Sequence, residues 1–224
     1  MLIDHWWRTF KQIGAIWEHD PDPRRGPYAL LTTLAPDGRR RMTNRYFNGR
    51  VVQAHAGTFG QACKDLVELG KPYCCCGSYS MMHAIGAAEG GIALSVRIAE
   101  ALHIRSAYAV KVGDRLAFTS SPLEYPTACL LVEDTVTTGG TLLKLQAAAL
   151  EACEGKCVFA PHILAFCRRL GPYQLLTDRR IITLIEMDVV EWAEGENPFT
   201  PDGQELVEPV PGKTNWRELM RTYD

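Results

Sequence analysis

The chain has 224 residues, 46% of them hydrophobic and 22% charged, with a formal net charge of -2. That is the make-up of one ordinary globular domain, long enough to bury a core and without a basic field for nucleic acid. No apolar run approaches the roughly 20 residues that span a bilayer, and the start, MLIDHWWRTF, has no signal-peptide core. Eight cysteines, three of them consecutive (Cys74, Cys75, Cys76), fit neither a disulfide framework nor paired zinc motifs. They read as small buried residues in a reducing, cytoplasmic setting.

Residues 2–18 carry Ile3, Trp6, Trp7, Phe10, Ile13 and Trp17 close to helical spacing, which predicts a helix packed on the body or across a dimer interface. Asp20-Pro21-Asp22-Pro23 stops it. Tyr28–Leu34 reads as a strand and Ala35-Pro36-Asp37-Gly38 as a turn. Residues 39–47 (RRRMTNRYF) form a basic segment; residues 1–50 hold nine Lys and Arg against five Asp and Glu. Residues 58–69 predict a helix with Ala62, Leu66 and Leu69 on one stripe, stopped by Gly70-Lys71-Pro72. Residues 85–91 are a loop of small residues opening a helix through Leu102, with Ile92, Val96 and Ala99 on one face; such a loop is a possible anion site. Residues 107–110 read as a strand ending at Lys111, and residues 112–127, with Arg115 their one basic residue, as a small hairpin.

The most informative stretch is residues 128–150, ACLLVEDTVTTGGTLLKLQAAAL. Its apolar opening is that of a strand buried on both faces. Glu133 and Asp134 follow where such a strand would leave the sheet, and a helix resumes with Leu142, Leu145 and Ala149 on one side. Between them, Thr135 to Thr141 form a turn of small and hydroxylated residues. Backbone N–H groups in a glycine turn at a helix N-terminus attract phosphate, whereas two carboxylates suit hydroxyl donors such as those of a ribose. Strand, acids, turn and helix together make a site for a phosphorylated sugar. Further on, residues 157–166 read as an apolar strand ending at Cys167 and Arg168, residues 181–190 as a last strand, and the acidic tail as a surface wrap.

VEDTVTTGGT resembles the phosphoribosyl-pyrophosphate-binding motif of type I phosphoribosyltransferases, in which a strand ends in two acids before a V-x-T-T-G-G-[ST] loop. Those enzymes transfer ribose 5-phosphate to a nitrogenous base and release pyrophosphate. No Lys follows Gly140, which separates the loop from that of nucleotide triphosphatases. The resemblance spans residues 28–192, most closely 84–111 and 128–150. With the alternation of strands and helices, it implies an α/β fold: an open, mainly parallel sheet flanked by helices, with a small hood from the N-terminal segment. The expected division of this single domain is 1–60 (helix and hood), 61–192 (α/β core) and 193–224 (tail).

The resemblance also implies roles. Glu133 and Asp134 would hold the ribose hydroxyls and, with Lys111, form the catalytic set. Thr135, Val136, Thr137, Thr138, Gly139, Gly140 and Thr141 would grip the 5-phosphate. Ala88, Glu89, Gly90 and Lys111 would take the pyrophosphate, although Ala87 replaces the proline of the family's P-A-x-G-G loop and Glu89 stands where a small residue is usual. Mg²⁺ would be held mainly by substrate oxygens, with no direct protein ligand. Orotate-specific members resemble residues 43–48 through Thr43, Tyr46, Phe47 and Asn48. They also carry an Asp-Arg strand end, which Cys167-Arg168 matches in its arginine. The base would thus meet Thr137, Arg168, Tyr46 and Phe47, with the arginines of residues 39–47 offsetting charge.

Orotate is the base this implies, with orotidine 5′-monophosphate, a pyrimidine nucleotide precursor, as product of a homodimer that engages neither nucleic acid nor membrane. Any lid in residues 112–127 is minimal or comes from elsewhere in the dimer. The Cys-Pro-Leu-Cys turn of longer relatives is replaced by Asn197-Pro198-Phe199-Thr200. Two alternatives stand: a phosphoribosyltransferase for another nucleobase, and a phosphoribosyl-pyrophosphate-sensing regulator whose basic N-terminal segment would bind nucleic acid in a gel shift.

Overall fold

A computed structural model of the chain describes residues 2–19, 28–34, 39–73, 82–123, 128–171, 179–193, 196, 206–207 and 214–220. Cys74, Cys75, Cys76, the turns expected at residues 20–23 and 35–38, and residues 197–200 lie outside them. The first helix, α1 (Leu2–Gln12), buries Trp6 and Phe10 and leaves Ile3 on the surface. Burying such side chains is worth about 1.5–3 kcal/mol each. The helix is shorter than its spacing predicts, because Gly14 takes a left-handed φ of 72° and ends it. Trp17 therefore belongs to a strand, β1 (Ile16–Glu18), and not to the helix.

The hood is built from both ends of the chain. Strands β2 (Tyr28–Leu34) and β3 (Arg40–Thr43) pair antiparallel, and β4 (Arg45–Phe47) turns away to pair with β1. Two helices lead out of the hood: α2 (Gly49–Ala54), capped when the Arg50 N–H donates to Asn48 Oδ1 at 3.2 Å, and α3 (Ala56–Gly70). Ala62 and Leu66 of α3 are fully buried, as their stripe predicts, and a 3-10 turn (Lys71–Tyr73) follows where Gly70 stops the helix.

The core opens with β5 (Met82–Ala87), buried at every residue, and runs directly into α4 (Ala88–Leu102). The predicted loop over 85–91 is thus half strand and half first helical turn. The buried face of α4 carries Gly91, Leu94, Ser95, Ile98 and, as predicted, Ala99, while Val96, also predicted to face the core, is 45% exposed. A Cβ at Gly86 would lie 2.0 Å from the Gly91 carbonyl oxygen, so glycine there lets the helix ride this close on the sheet. Next come β6 (Arg105–Val112) and β7 (Arg115–Ala117), which form a hairpin about Gly113; its first arm is the strand before residues 112–127, where the sequence placed the whole hairpin.

The chain then crosses back to β8 (Ala128–Val136), α5 (Gly140–Ala152), β9 (Val158–Leu170) and β10 (Arg180–Asp188). The six core strands lie in the order β10-β9-β8-β5-β6-β7, all parallel except β7. Strand order reverses between β5 and β8, and in an open α/β sheet the crevice beyond the strand carboxyl ends at such a point is the binding place. Strands β11 (Glu191–Ala193) and β12 (Leu206–Val207) return to the hood, giving a sheet ordered β11-β3-β2-β12. Helix α6 (Thr214–Leu219) buries Trp216 and Leu219 beside Trp17. Of the tail, the described β12 and α6 pack on the hood. Among the described residues no helix is long and apolar enough to cross a membrane.

Candidate active site

A pocket of about 580 Å³ opens at the reversal point. Pairing explains why it lies there. Strand β5 pairs with β8 only as far as Ile85↔Leu131, whereas β9 follows β8 to Val136↔Arg168. Strand β8 therefore continues past its predicted end, and Glu133 and Asp134 are strand residues with an open flank where β5 has stopped. Both line the pocket.

Asp134 is closely walled. A Cβ added at Gly49 would come within 2.3 Å of its Oδ2, and one at Gly90 within 2.5 Å. The carboxylate is thus held between the first turns of α2 and α4, and Gln53 Nε2 ties those helices by donating to the Gly90 carbonyl at 2.7 Å. Glu133 is buried beside it and accepts from the Asp134 N–H at 3.0 Å. Burial, and then the neighbouring Asp134, push the Glu133 carboxyl well above the usual carboxylate range. Burial raises Asp134 too, against the opposite pull of its hydrogen bonds and of Arg50. Donors or a cation brought beside the pair would favour its charged form.

The Thr/Gly turn behaves as its residues predict. Gly139 caps α5 at a left-handed φ of 89°, a conformation that favours glycine, and Thr138 Oγ1 accepts from the Gly140 N–H at 3.3 Å. Thr135, Thr137 and Thr141 line the pocket. Val136 does not: it is 1% exposed within the core packed under α5, so its side chain is scaffold. Glu89 and Gly90 are in the wall and Lys111 reaches it from β6. The acid at Glu89 is met by Arg50, its ion-pair partner, which offsets the repulsion its sequence position suggests.

The opposite side departs most from expectation. Arg168 is not in the pocket; its guanidinium stands 3.7 Å from Glu186 on the neighbouring strand β10. Successive strand residues point to opposite faces, so Arg169 faces the pocket in its place. Arg169 is 5% exposed, donates from Nη2 to Glu191 Oε1 at 2.8 Å, and lies with Cζ 5.8 Å from the centre of the Tyr46 ring. Tyr46 is half-buried, and that burial raises its phenol. Phe47 lines the pocket but is 3% exposed and packs on Phe10 at 5.3 Å, so it belongs to the core more than to a stacking platform.

The predicted basic cluster is structural as well. Arg39 pairs with Glu196 at 2.6 Å, and Arg45 with Glu18 at 3.0 Å. The cations that line the pocket are Arg50, Lys111 and Arg169. Sequence reasoning passed over Gly49, Arg50 and Arg169; the signal for the first two was Asn48 as an N-cap ahead of Gly-Arg-Val-Val. Among the described residues no group of three or more His, Cys, Asp or Glu is arranged to hold a metal by itself. Cys63, Cys129, Cys153, Cys157 and Cys167 are free and buried.

No family model matches the chain. It is 30% identical over 173 residues to an orotate phosphoribosyltransferase of Pelotomaculum thermopropionicum, covering 75% of this chain and 84% of that protein. Among solved structures, it is similar to orotate phosphoribosyltransferase from Aeropyrum pernix (TM-score 0.55, 18% identity, 83% of this chain and 94% of that one). It is also similar to adenine phosphoribosyltransferase from Rhodothermus marinus (TM-score 0.51, 15% identity, 82% and 99%). At those identities the structural likeness is one of fold, shared by enzymes with different bases.

Proposed function

Because this chain belongs to the type I phosphoribosyltransferase family and is a phosphoribosyltransferase, we propose that the base it ribosylates is orotate, giving orotidine 5′-monophosphate and pyrophosphate. The observation that carries the choice of base is Arg169, a buried guanidinium facing the pocket beside Tyr46. A planar fork of donors suits a planar base bearing a carboxylate, and the adjacent ring offers a face to stack on. The relative from Pelotomaculum thermopropionicum supports the same choice.

The family resemblance assigns the roles, and the pocket lining supports them. Asp134 and Glu133 accept hydrogen bonds from the ribose hydroxyls and lie near the positive charge that grows at the anomeric carbon as its bond to pyrophosphate breaks. The turn from Thr135 to Thr141 holds the 5-phosphate through backbone N–H groups and hydroxyls at the α5 N-terminus. Lys111, with the backbone of Ala88, Glu89 and Gly90, receives the leaving pyrophosphate. Thr137 sits between phosphate and base. Most of the acceleration comes from positioning and charge stabilisation, with no protein nucleophile.

The donor set fits Mg²⁺, a hard ion that takes oxygen ligands and keeps several from its substrate. Mg²⁺ would be held mainly by substrate oxygens, with Asp134 and Glu133 as the carboxylates facing that space, and would supply charge neutralisation of the diphosphate. The buried free thiols suit a reducing cytoplasm, and the family resemblance supports a homodimer.

The test is pyrophosphate release from phosphoribosyl pyrophosphate and Mg²⁺ with a panel of orotate, uracil, adenine and guanine. Orotate alone should turn over. Turnover with a purine and not with orotate would replace the substrate while leaving the sugar-phosphate half of the site standing.

A further inference from the structure

Arg169 reaches the pocket from the core, but what holds it comes from the hood. Its Nη2 donates to Glu191 Oε1 at 2.8 Å and to Thr43 Oγ1 at 3.4 Å. Glu191 and Thr43 are themselves register partners, opposite one another on β11 and β3. Thr43 is fully buried, and its hydroxyl donates to the Arg45 carbonyl at 3.1 Å. That proton being committed, the oxygen can present only a lone pair to the guanidinium. The ion pair is largely withdrawn from solvent, with the Arg169 side chain 6% and the Glu191 side chain 14% exposed. Solvent therefore screens it weakly. Glu191 stands behind the guanidinium, outside the pocket lining.

We propose that Glu191, acting through Arg169, sets how strongly the base subsite favours an anionic base over a neutral one. This rests on the reading that Arg169 meets the base. Glu191 does two separable things: with Thr43 it aims the guanidinium, and with its charge it offsets the cation that a ligand carboxylate would share. Two anions on one buried cation repel, so orotate binds more weakly than it would to the same arginine held by a neutral acceptor. A neutral base of the same shape does not feel that repulsion. Glu191 is accordingly a positioning residue whose charge tunes selectivity.

Orotate and uracil differ by the carboxylate alone and make the test pair. With pyrophosphate and Mg²⁺ present, calorimetry on the full chain reads the dissociation constant of each base. Glu191→Gln keeps an acceptor for Nη2 and removes the charge, so orotate should tighten relative to uracil by about fivefold. Glu191→Asp keeps the charge but withdraws it, giving a smaller shift in the same direction with less risk to folding. Glu191→Ala, which also frees the guanidinium to move, should weaken orotate.

A merely structural role would move both bases by the same factor in every variant, and that result overturns the proposal. Arg169→Met separates the two levels. If it removes the preference for orotate while the Gln and Asp variants leave the ratio unchanged, only the role of Glu191 fails. If it leaves orotate binding untouched, the base-side reading of Arg169 fails with it.

Discussion

Gly49→Ala tests whether the trapped geometry of Asp134 matters for function. The added Cβ would lie 2.3 Å from Asp134 Oδ2 and 2.7 Å from its Cβ. Carbon atoms pack at about 3.5–4.0 Å, so the acid must retreat by roughly 1 Å. It cannot swing toward α4, because Gly90 closes that side, where even an added methyl would meet the carboxylate at 2.5 Å. Overpacking of this kind costs about 1–3 kcal/mol, offset by about 1 kcal/mol from the better helix propensity of alanine. The net loss of stability is therefore small, about 0–2 kcal/mol, and the variant should fold.

Function should suffer more, since misplacing a reacting group by 1 Å can cost about 100-fold. Steady-state assays should give a kcat/KM lowered by about two orders of magnitude, with circular dichroism unchanged. Gly57→Ala is the matched control. It too is helical, but nothing lies within 4 Å of its added Cβ, so stability should hold or rise slightly and activity stay at the wild-type level. A folded Gly49→Ala enzyme within threefold of wild type would refute the idea that a fixed Asp134 carboxylate serves the ribose.

Arg169→Met should raise the KM for orotate by about 10- to 100-fold, the worth of a charged hydrogen bond, whereas Arg168→Met should leave it unchanged. The reverse result would return the base to the other face of β9. Lys111→Ala should raise the KM for phosphoribosyl pyrophosphate by a similar factor without altering that for orotate; equal effects on both would remove Lys111 from the diphosphate. Glu133 binds its proton more tightly folded than unfolded, so its stabilising contribution is complete below the ordinary carboxylate range and is lost as pH rises through its folded value. Glu133→Gln should melt higher than wild type at pH 8, with the gap closing on acidification toward pH 4; a pH-independent gap would contradict the raised carboxyl. Trp216, 8% exposed with its ring 5.9 Å from Tyr46, should cost about 3 kcal/mol when cut to Ala, and orotate binding should weaken with it.

The geometry of the proposed sugar-phosphate half was legible because it is local. One stretch from β8 to α5 supplies acids, turn and helix N-terminus, and neighbouring residues bring their own geometry. The base half was not, because it is assembled from distant segments. Two adjacent arginines on a strand present one guanidinium to each face, and only the register of β9 decides between Arg168 and Arg169. The extra length of β8 was hidden for a related reason: its end is set by β9, which keeps pairing after β5 has stopped. Helix periodicity found α3 and, in α4, placed Ala99 in the core but Val96 wrongly, since a close glycine contact with the sheet brings Leu94 and Ser95 inward instead.

The hood carries a consequence for how the molecule is made. Its central strands β2 and β3 emerge early, yet their neighbours β11 and β12, the Glu191 that holds Arg169, and the Trp216 beneath Tyr46 all come after the whole core has been synthesised. On the ribosome the core sheet can close first, since all six of its strands lie before residue 189. The nascent hairpin must wait with both edges open, exposed to premature association. The proposed base side is thus completed last, and lesions from Glu191 onward should yield chains that still hold the sugar donor but discriminate its acceptor less well.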